Sequence, residues 1–538
     1  MKSECLPFSQ VPHTTKLFAD YLSWSPQVHT FYSRPAHYCE WVKDETSSVR
    51  YDNARRERMA AILERQNKSG GASEKTLENI QRFRAGAFVS VTGQQVGLFG
   101  GPLYSLFKAL TAVKIAEETT KAGTDCIPIF WLATQDHDLA EVNHIQLMGQ
   151  DAALNTISIA THGVEDAPVG TIHFGPEMDT LVESTAQSLG DCEAADWLRS
   201  SYKSGETFGS AYAKLFARVF ADWGIVLLDA SDPEVTAIAA PVFQAAIERS
   251  AEIEKALLER GKELEAAGYH QQVKVTPNAT LLFATQNGAR TPIHRASDSE
   301  FVIGKDKISF SDLLQRIATA SQEFSANVLL RPVVQDYLLP TVAYNGGPAE
   351  VAYFAQGSAV YELLAGRVTP IVSRFSATLI EPRLKALLEK YSLHIRHLFA
   401  GPDAVREQLA AHVLPEDFHQ TFDHASESVA SALNAVREVL ARVDKTLVDS
   451  AKNAGEKMHY QLDQLRSKAA RAELRQTEIL SRHAELLSNA LYPNKTLQER
   501  EISALYFVAR HGHQLLRDIY SCIQPDCLDH QLISLDVR

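Results

Sequence analysis

The chain has 538 residues, 45% hydrophobic and 22% charged, a globular composition with enough material for a sizeable core and for two to four domains. Lys and Arg number 53 against 66 Asp and Glu, a formal charge of −13, so the bulk surface repels nucleic acid and argues against a nucleic-acid partner. No stretch approaches the roughly 18 uninterrupted apolar residues of a membrane span. The opening MKSECLPFSQVPHTTKLF lacks the apolar core of a signal peptide, so the expectation is a cytoplasmic protein with no membrane partner.

Residues 1–85 read as a polar helical segment packing on a core, with Asp52 to Gln66 as an exposed layer ended by the breakers Asn67-Lys68-Ser69-Gly70-Gly71. From residue 86 the pattern changes. Ala87–Val91 is a short apolar run rich in β-branched residues, Pro102 to Thr120 carries apolar residues at helical spacing, and Ile127–Leu132 is a second apolar strand. Strand, glycine turn, helix and strand make a βαβ unit. Ser200 to Trp223 reads as a helix, Ile225–Asp229 as a strand and Pro233 to Ala267 as one long helix. Residues 269–304 alternate apolar and polar positions around Pro277-Asn278 and Asn287-Gly288 turns, an antiparallel insert. Arg331 to Gln356 returns to helix, strand, glycine turn and helix, so residues 86–410 read as one doubly wound α/β core with inserts.

Beyond Pro415 glycine and proline nearly vanish until Pro493, and Val429, Leu433, Val436, Leu440, Val443 and Leu447 follow alternating steps of three and four. One unbroken helix here would span on the order of 110 Å, so a hairpin over residues 411–492 is expected, turning near Asp444–Lys445 or Gly455. Arg466, Lys468, Arg471, Arg475 and Arg482 make its second half basic, which reads first as a solvated helix face, with an anion contact as the alternative. Residues 493–538 are expected to return to the core. The cysteines Cys5, Cys39, Cys126, Cys192, Cys522 and Cys527 include no Cys-x-x-Cys pair and read as free thiols, with no zinc set.

Three segments carry candidate chemistry. In Thr92 to Lys108, Gly93, Gly97, Gly100 and Gly101 separate a buried strand from a helix whose N-terminus would offer N–H groups to phosphate or carboxylate. Gln94, Gln95 and Tyr104 lie on the same turn, and Lys108 adds charge if it points back. The turn matches neither G-x-G-x-x-G nor a P-loop. In Gln135 to His144, Asp136 and Asp138 flank His137, an arrangement that would raise the histidine pKa, fix its tautomer and make it a proton carrier. The same acids suit Mg²⁺ or a helix cap, and Asn143 follows. In Asn327 to Glu350, Arg331 suits a carboxylate through two parallel hydrogen bonds or else pairs with Asp336; Asn327 and Gln335 are its neighbours, and Gly346, Gly347 and Glu350 form a second glycine–proline turn. No Gly-x-Ser-x-Gly elbow appears.

TGQQVGLFGGPLYSLFKAL, PIFWLATQDHDLAEVNH, NVLLRPVVQDYLLPTVAYNGGPAEVAYFAQ and LYPNKTLQER together resemble the bacterial cysteine-adding enzymes of bacillithiol biosynthesis, in order and spacing along almost the whole chain. The resemblance implies a Rossmann-like core of the nucleotidyltransferase type with inserts, a C-terminal α-helical coiled coil that supports homodimers, and a ligase joining cysteine to glucosaminyl-malate through an amide. Gln135 stands where the family commonly has glutamate, and Ser105-Leu106-Phe107-Lys108 stands where nucleotidyltransferases carry His-x-Gly-His, so ATP with Mg²⁺ is compatible with these residues without being established by them. The expected roles are His137 as base, oriented by Asp136 or Asp138, Arg331 on a carboxylate, and Lys108 on phosphate or carboxylate. The rival readings are a nucleotidyltransferase-like enzyme activating another small acid and a non-catalytic coiled-coil assembly protein.

Overall fold

The computed structural model describes all residues except 39–40, 150, 162, 414–415, 475–477, 525–526 and 537–538. Cys39, Pro415 and Arg475, named above, lie outside the described residues.

The chain opens with β1 (Lys2–Leu6), a departure from the all-helical reading of this segment. Only Leu6 of the five is buried, so the strand carries no apolar signature of its own. The core strands are β2 (Phe88–Gln94) and β3 (Cys126–Leu132), joined by the helix Leu103–Lys121. Every residue of β3 is buried, as a parallel strand covered on both faces requires. A hairpin of β4 (His144–Met148) and β5 (Leu154–Ser158) follows, then β6 (Val226–Asp229). The insert holds β7 (Ala279–Gln286), β8 (Ala289–Arg295), β9 (Glu300–Ile303), β10 (Asp306–Ser309) and β11 (Phe324–Ala326), reaching past the expected residue 304. Its first hairpin turns at Asn287-Gly288, both at positive φ (51° and 84°), as a tight two-residue turn demands. Then come β12 (Thr341–Gly346), β13 (Ile371–Ser373), β14 (Ala377–Ile380) and, near the end, β15 (His530–Ser534).

The core sheet has the order β13-β12-β2-β3-β6, all parallel, so the chain reverses its direction of travel between β2 and β12. Ligands of doubly wound sheets gather at the carboxyl side of such a reversal. A second sheet, β1-β15-β14, ties the two chain ends together.

Two expected long helices are broken. Ser200 to Trp223 divides into Glu193–Ser201 and Phe208–Val219, the second opened by a Thr207–Ser210 capping box. Pro233 to Ala267 divides into Pro233–Glu248 and Ser250–Ala266 at Arg249. The helix Asn53–Gly70 is less exposed than its charges suggest, because Met59, Ala60, Ile62 and Leu63 are buried. Its Asn67 side chain accepts the Leu227 N–H (2.9 Å) and donates to the Leu227 carbonyl (2.8 Å), and Gln66 accepts the Asp229 N–H (2.9 Å). These amides satisfy the open edge of β6 as a neighbouring strand would.

The helices Glu416–Val443 and Leu447–Leu474 form an antiparallel hairpin turning at Asp444, with a third helix, Glu478–Leu491, leading back. Gly455 is not the turn. It packs inside the hairpin, where an added Cβ would lie 3.0 Å from Leu433. No helix among the described residues is long and apolar enough to cross a membrane.

Candidate active site

A cleft of about 630 Å³ opens at the carboxyl ends of the core strands. Gly93 and Gln94 line it from the end of β2, Trp131 and Ala133 from β3, Ala230 from β6, Tyr344 and Gly347 from β12, and Arg374 from β13. Five cations (Lys108, Arg290, Arg331, Arg374, Arg500) and three carboxylates (Asp136, Glu141, Glu350) face it, so it is locally basic in an acidic protein. Gly93 lets β2 run close beside β3, since a Cβ there would lie 3.2 Å from the Trp131 Cβ and carbonyl oxygen, tighter than ordinary contact.

Arg331 begins the helix Arg331–Leu338. It donates to Gln335 Oε1 (3.0 Å), Tyr353 Oη (2.9 Å) and Tyr344 Oη (3.4 Å). Asp336 is not its partner. That carboxylate lies among Tyr361 (2.7 Å), Thr369 and Gln335, and burial raises its pKa. Among the described residues no carboxylate makes an ion pair with Arg331. A half-buried guanidinium hydrogen-bonded only to neutral groups keeps its charge uncompensated by a direct ion pair.

Lys108 does point back toward the turn, but its protons are committed. The ammonium donates to the Gly93 carbonyl (2.9 Å), Gln94 Oε1 (2.7 Å) and Glu350 Oε1 (2.6 Å). An ammonium has three N–H donors, so the expected phosphate or carboxylate contact is replaced by an internal ion pair. Burial pushes its pKa down, and Glu350 opposes that. Glu350 also accepts from Tyr344 Oη (3.0 Å) and from the Gly347 N–H (2.5 Å), joining the two glycine–proline turns.

The first of those turns is closed as an anion cradle. The Leu103 N–H at the helix start donates to the Ile502 carbonyl (2.9 Å), Gly101 N–H to Leu98 (2.9 Å), and Gly100 N–H to Gly97 (3.2 Å) and Tyr202 Oη (3.3 Å). Gly97, Gly100 and Gly101 line no part of the cleft; Gly100 and Gly101 serve the fold at positive φ (87° and 71°). With these N–H groups taken up, the turn does not fit the phosphates of a nucleoside triphosphate. The second turn does face the cleft, through Gly347, Pro348, Ala349 and Glu350 at the start of the helix Pro348–Leu364.

His137 and Asp138 border an adjoining cavity of about 610 Å³, which shares Gln95, Asp136 and Glu141 with the cleft. The nearest partner of the His137 ring is Arg290, with Asp136 behind it. Arg290, on β8, places NH1 3.1 Å from His137 Nδ1, while Asp136 Oδ1 is 3.6 Å away and accepts the His137 backbone N–H (2.8 Å). A guanidinium only donates, so Nδ1 accepts and the neutral ring carries its proton on Nε2. Arg290 also binds Ser325 Oγ (2.9 Å) and the Ala326 carbonyl (2.7 Å), lies over the Phe283 ring, and has its pKa pushed down to about 10 by burial, against Asp136. Asp138 is the N-cap of the short helix Leu139–Val142, accepting the Glu141 N–H (3.2 Å). Gln95 bridges Asp136 Oδ2 (2.8 Å) and Glu141 Oε2 (3.0 Å).

Of the remaining candidates, Tyr104 accepts from Gln94 (3.0 Å), and burial raises its pKa to about 12. Asn327 caps the Leu329 and Leu330 N–H groups (both 3.0 Å) at the cleft rim. Gln335 is fully buried and orients Arg331. Asn143, Asp336 and Gly346 line neither cavity. Arg290, Arg374 and Arg500 were missed by sequence reasoning. Arg374 follows β13 directly, and a charged residue at the carboxyl end of an apolar strand is a usable signal. It is held by Glu499 (2.6 Å), which also accepts from Ser376 Oγ (2.9 Å) and the Ala377 N–H (2.9 Å). Among the described residues no group of three or more His, Cys, Asp or Glu side chains is arranged to hold a metal ion.

A doubly wound core with a basic cleft at its strand ends and an antiparallel helical hairpin defines a Rossmann-like protein with a coiled-coil appendage. Family models described as the bacillithiol biosynthesis BshC N-terminal Rossmann-like domain and C-terminal coiled-coil domain match residues 1–375 and 377–535. Relatives named "Putative cysteine ligase BshC" include one from Koribacter versatilis, 49% identical with 99% of this chain and 100% of the relative covered. Those from Solibacter usitatus (35%; 99% and 100%) and Salinibacter ruber (31%; 96% of each) are also similar throughout. The chain belongs to the bacillithiol biosynthesis BshC family.

Proposed function

We propose that this protein is a cysteine ligase of bacillithiol biosynthesis that forms an amide between the carboxyl group of cysteine and the amine of glucosaminyl-malate in the core cleft. The observation that carries the reading is Arg331, a cleft guanidinium with no carboxylate of its own, beside Arg374 and the exposed Arg500. This cation excess supports binding of a malate-type dicarboxylate. Asp136 and Glu141, bridged by Gln95 at the border of the two cavities, favour the ammonium of a substrate. His137 enters as an Nε2–H donor to developing negative charge rather than as the base. Asp138 takes a capping role in this scheme.

A carboxylate does not acylate an amine at neutral pH, so the acyl group is activated before attack. Incubating the purified protein with cysteine and glucosaminyl-malate, with and without ATP, and weighing the product tests the reading. Appearance of the amide's mass supports it, and no amide in either arm refutes it. The helical hairpin leaves Val436, Val439 and Val443 about 49%, 51% and 72% exposed, which favours a homodimer joined along this face.

A further inference from the structure

The two ends of the chain bring two thiols together. Cys5 lies on β1 opposite Gln531 of β15, and its Sγ is 3.1 Å from the Sγ of Cys527, in the segment that leads into β15. Cys5 is exposed and Cys527 half-buried, so a small reagent reaches both. Antiparallel pairing of β1 with β15 over five residue pairs holds the Cys5 backbone, and Cys527 stands three residues before β15 begins. A disulfide bond is about 2.05 Å long, and closing the gap takes roughly 1 Å of side-chain movement with the strands in place. None of the other described cysteines, Cys126, Cys192 and Cys522, has another cysteine as a hydrogen-bond partner.

We propose that Cys5 and Cys527 are a reversible disulfide site that staples the N-terminal strand to the C-terminal strand, with a low-molecular-weight disulfide as the oxidant. This stands apart from the ligase reading.

The hydrogen bond to Cys527 and burial push the Cys5 pKa up to about 11, with Asp529 and Glu4 adding to the effect. Either sulfur can begin the exchange; written from Cys527, that thiol loses its proton first. Its thiolate displaces one thiolate from the small disulfide R–S–S–R, giving a mixed disulfide on Cys527. Cys5 then loses its proton and attacks the Cys527 sulfur, expelling the second thiolate. One S–S bond is exchanged for another, the protein loses two electrons and two protons, and the reagent becomes two thiols. The site is coupled to the core, because three residues on from Cys527 the buried His530 binds Ser376 (2.7 Å) and Thr378 (2.9 Å), and Ser376 shares Glu499 with Arg374.

The test uses the full-length reduced protein, incubated with cystine, trapped with N-ethylmaleimide and analysed by intact mass and peptide mapping. The expected result is loss of two alkylation sites, a cross-linked peptide pair containing Cys5 and Cys527, and reversal by dithiothreitol. Cys5→Ser should instead accumulate a cysteine adduct on Cys527. Full alkylation of both thiols after prolonged cystine treatment overturns the proposal, as does pairing of Cys527 with Cys522. The wild-type measurement decides the matter even if a variant folds poorly.

Discussion

Replacing Arg331 with alanine tests the cleft directly. The guanidinium has five N–H donors, and three hydrogen bonds are made to Gln335, Tyr353 and Tyr344. The two remaining protons, on Nε and Nη1, are not parallel, so a forked contact to a substrate carboxylate forms when Nη2 gives up its longer bond to Tyr344 (3.4 Å). Hydrogen bonds to a charged group each contribute about 1.5–3 kcal/mol net, so losing a bidentate contact should cost at least about 3 kcal/mol. At 1.36 kcal/mol per tenfold that is a rise on the order of 10²-fold in KM for glucosaminyl-malate. The KM for cysteine should change far less. Arg331→Lys keeps the charge but not the fork, and should fall between wild type and alanine. The alanine variant also leaves the buried Gln335 amide oxygen unpaired, so circular dichroism and thermal melts must accompany steady-state kinetics with each substrate varied in turn. A folded Arg331→Ala protein with wild-type KM for the amino-sugar acid would refute the anion-receptor argument, since no other change at that position could replace the two bonds.

Four further outcomes follow from the same structure. Nitrogen-15 spectra of the imidazoles should show the His137 proton on Nε2, and Arg290→Met should mix the tautomers; a proton on Nδ1 in the wild type would reverse the assignment. His137→Gln, which can present an N–H near the Nε2 position, should retain more turnover than His137→Asn, and the opposite order would count against the donor role. Burial lowers the pKa of His530 from 6.5 to about 4, with Glu499 opposing. Its contribution to stability is therefore complete above pH 6.5 and is lost as pH falls toward 4, about 2 kcal/mol of it by pH 5. Urea unfolding at pH 7 and pH 5 should show a loss that His530→Asn reduces, and an equal loss in both proteins would remove His530 as the cause. Val436→Glu combined with Val443→Glu should give a monomer by analytical ultracentrifugation if the hairpin face joins two copies, whereas an unchanged sedimentation coefficient for a wild-type dimer would move the interface elsewhere.

The parts of the fold legible in the sequence are those with a long local period. The β2–helix–β3 unit and the hairpin turning at Asp444 are written in apolar spacing that tertiary contacts do not override. Strand β1 is illegible because four of its five residues face outward and its partner lies at the other end of the chain. The break at Arg249 escapes notice because helical propensity continues across it, whereas the break at residues 202–207 carries a readable mark in Ser204-Gly205, with Gly205 at positive φ (87°). The candidate site was half legible. Gly93, Gln94, Gln95, Asp136, Arg331 and Glu350 announce themselves as glycine turns and charges after apolar strands. Arg290 and Arg500 carry no such mark, because each reaches the cleft from an element distant in sequence. Roles were less legible than positions, since a lysine beside a glycine turn looks the same whether it is free for substrate or already bound to Glu350.

The division of the matched segments at residues 375 and 377 does not divide the site. The second segment supplies Arg500 to the cleft wall and Glu499 to hold Arg374. It also supplies the Ile502 carbonyl that takes the N–H at the start of the helix Leu103–Lys121. That last contact explains why a glycine-rich turn with the outward form of an anion site is not one here: the chain's own return fills it. The free positive charge is displaced to the opposite side of the sheet's reversal point, to Arg331 and the turn at Gly347. A coiled coil that merely hung from the core would have left the first turn open. Because its return path closes that turn and supplies Arg500 and Glu499, removing residues beyond 377 should weaken glucosaminyl-malate binding measured by calorimetry, and unchanged binding would count against the cleft as the binding place.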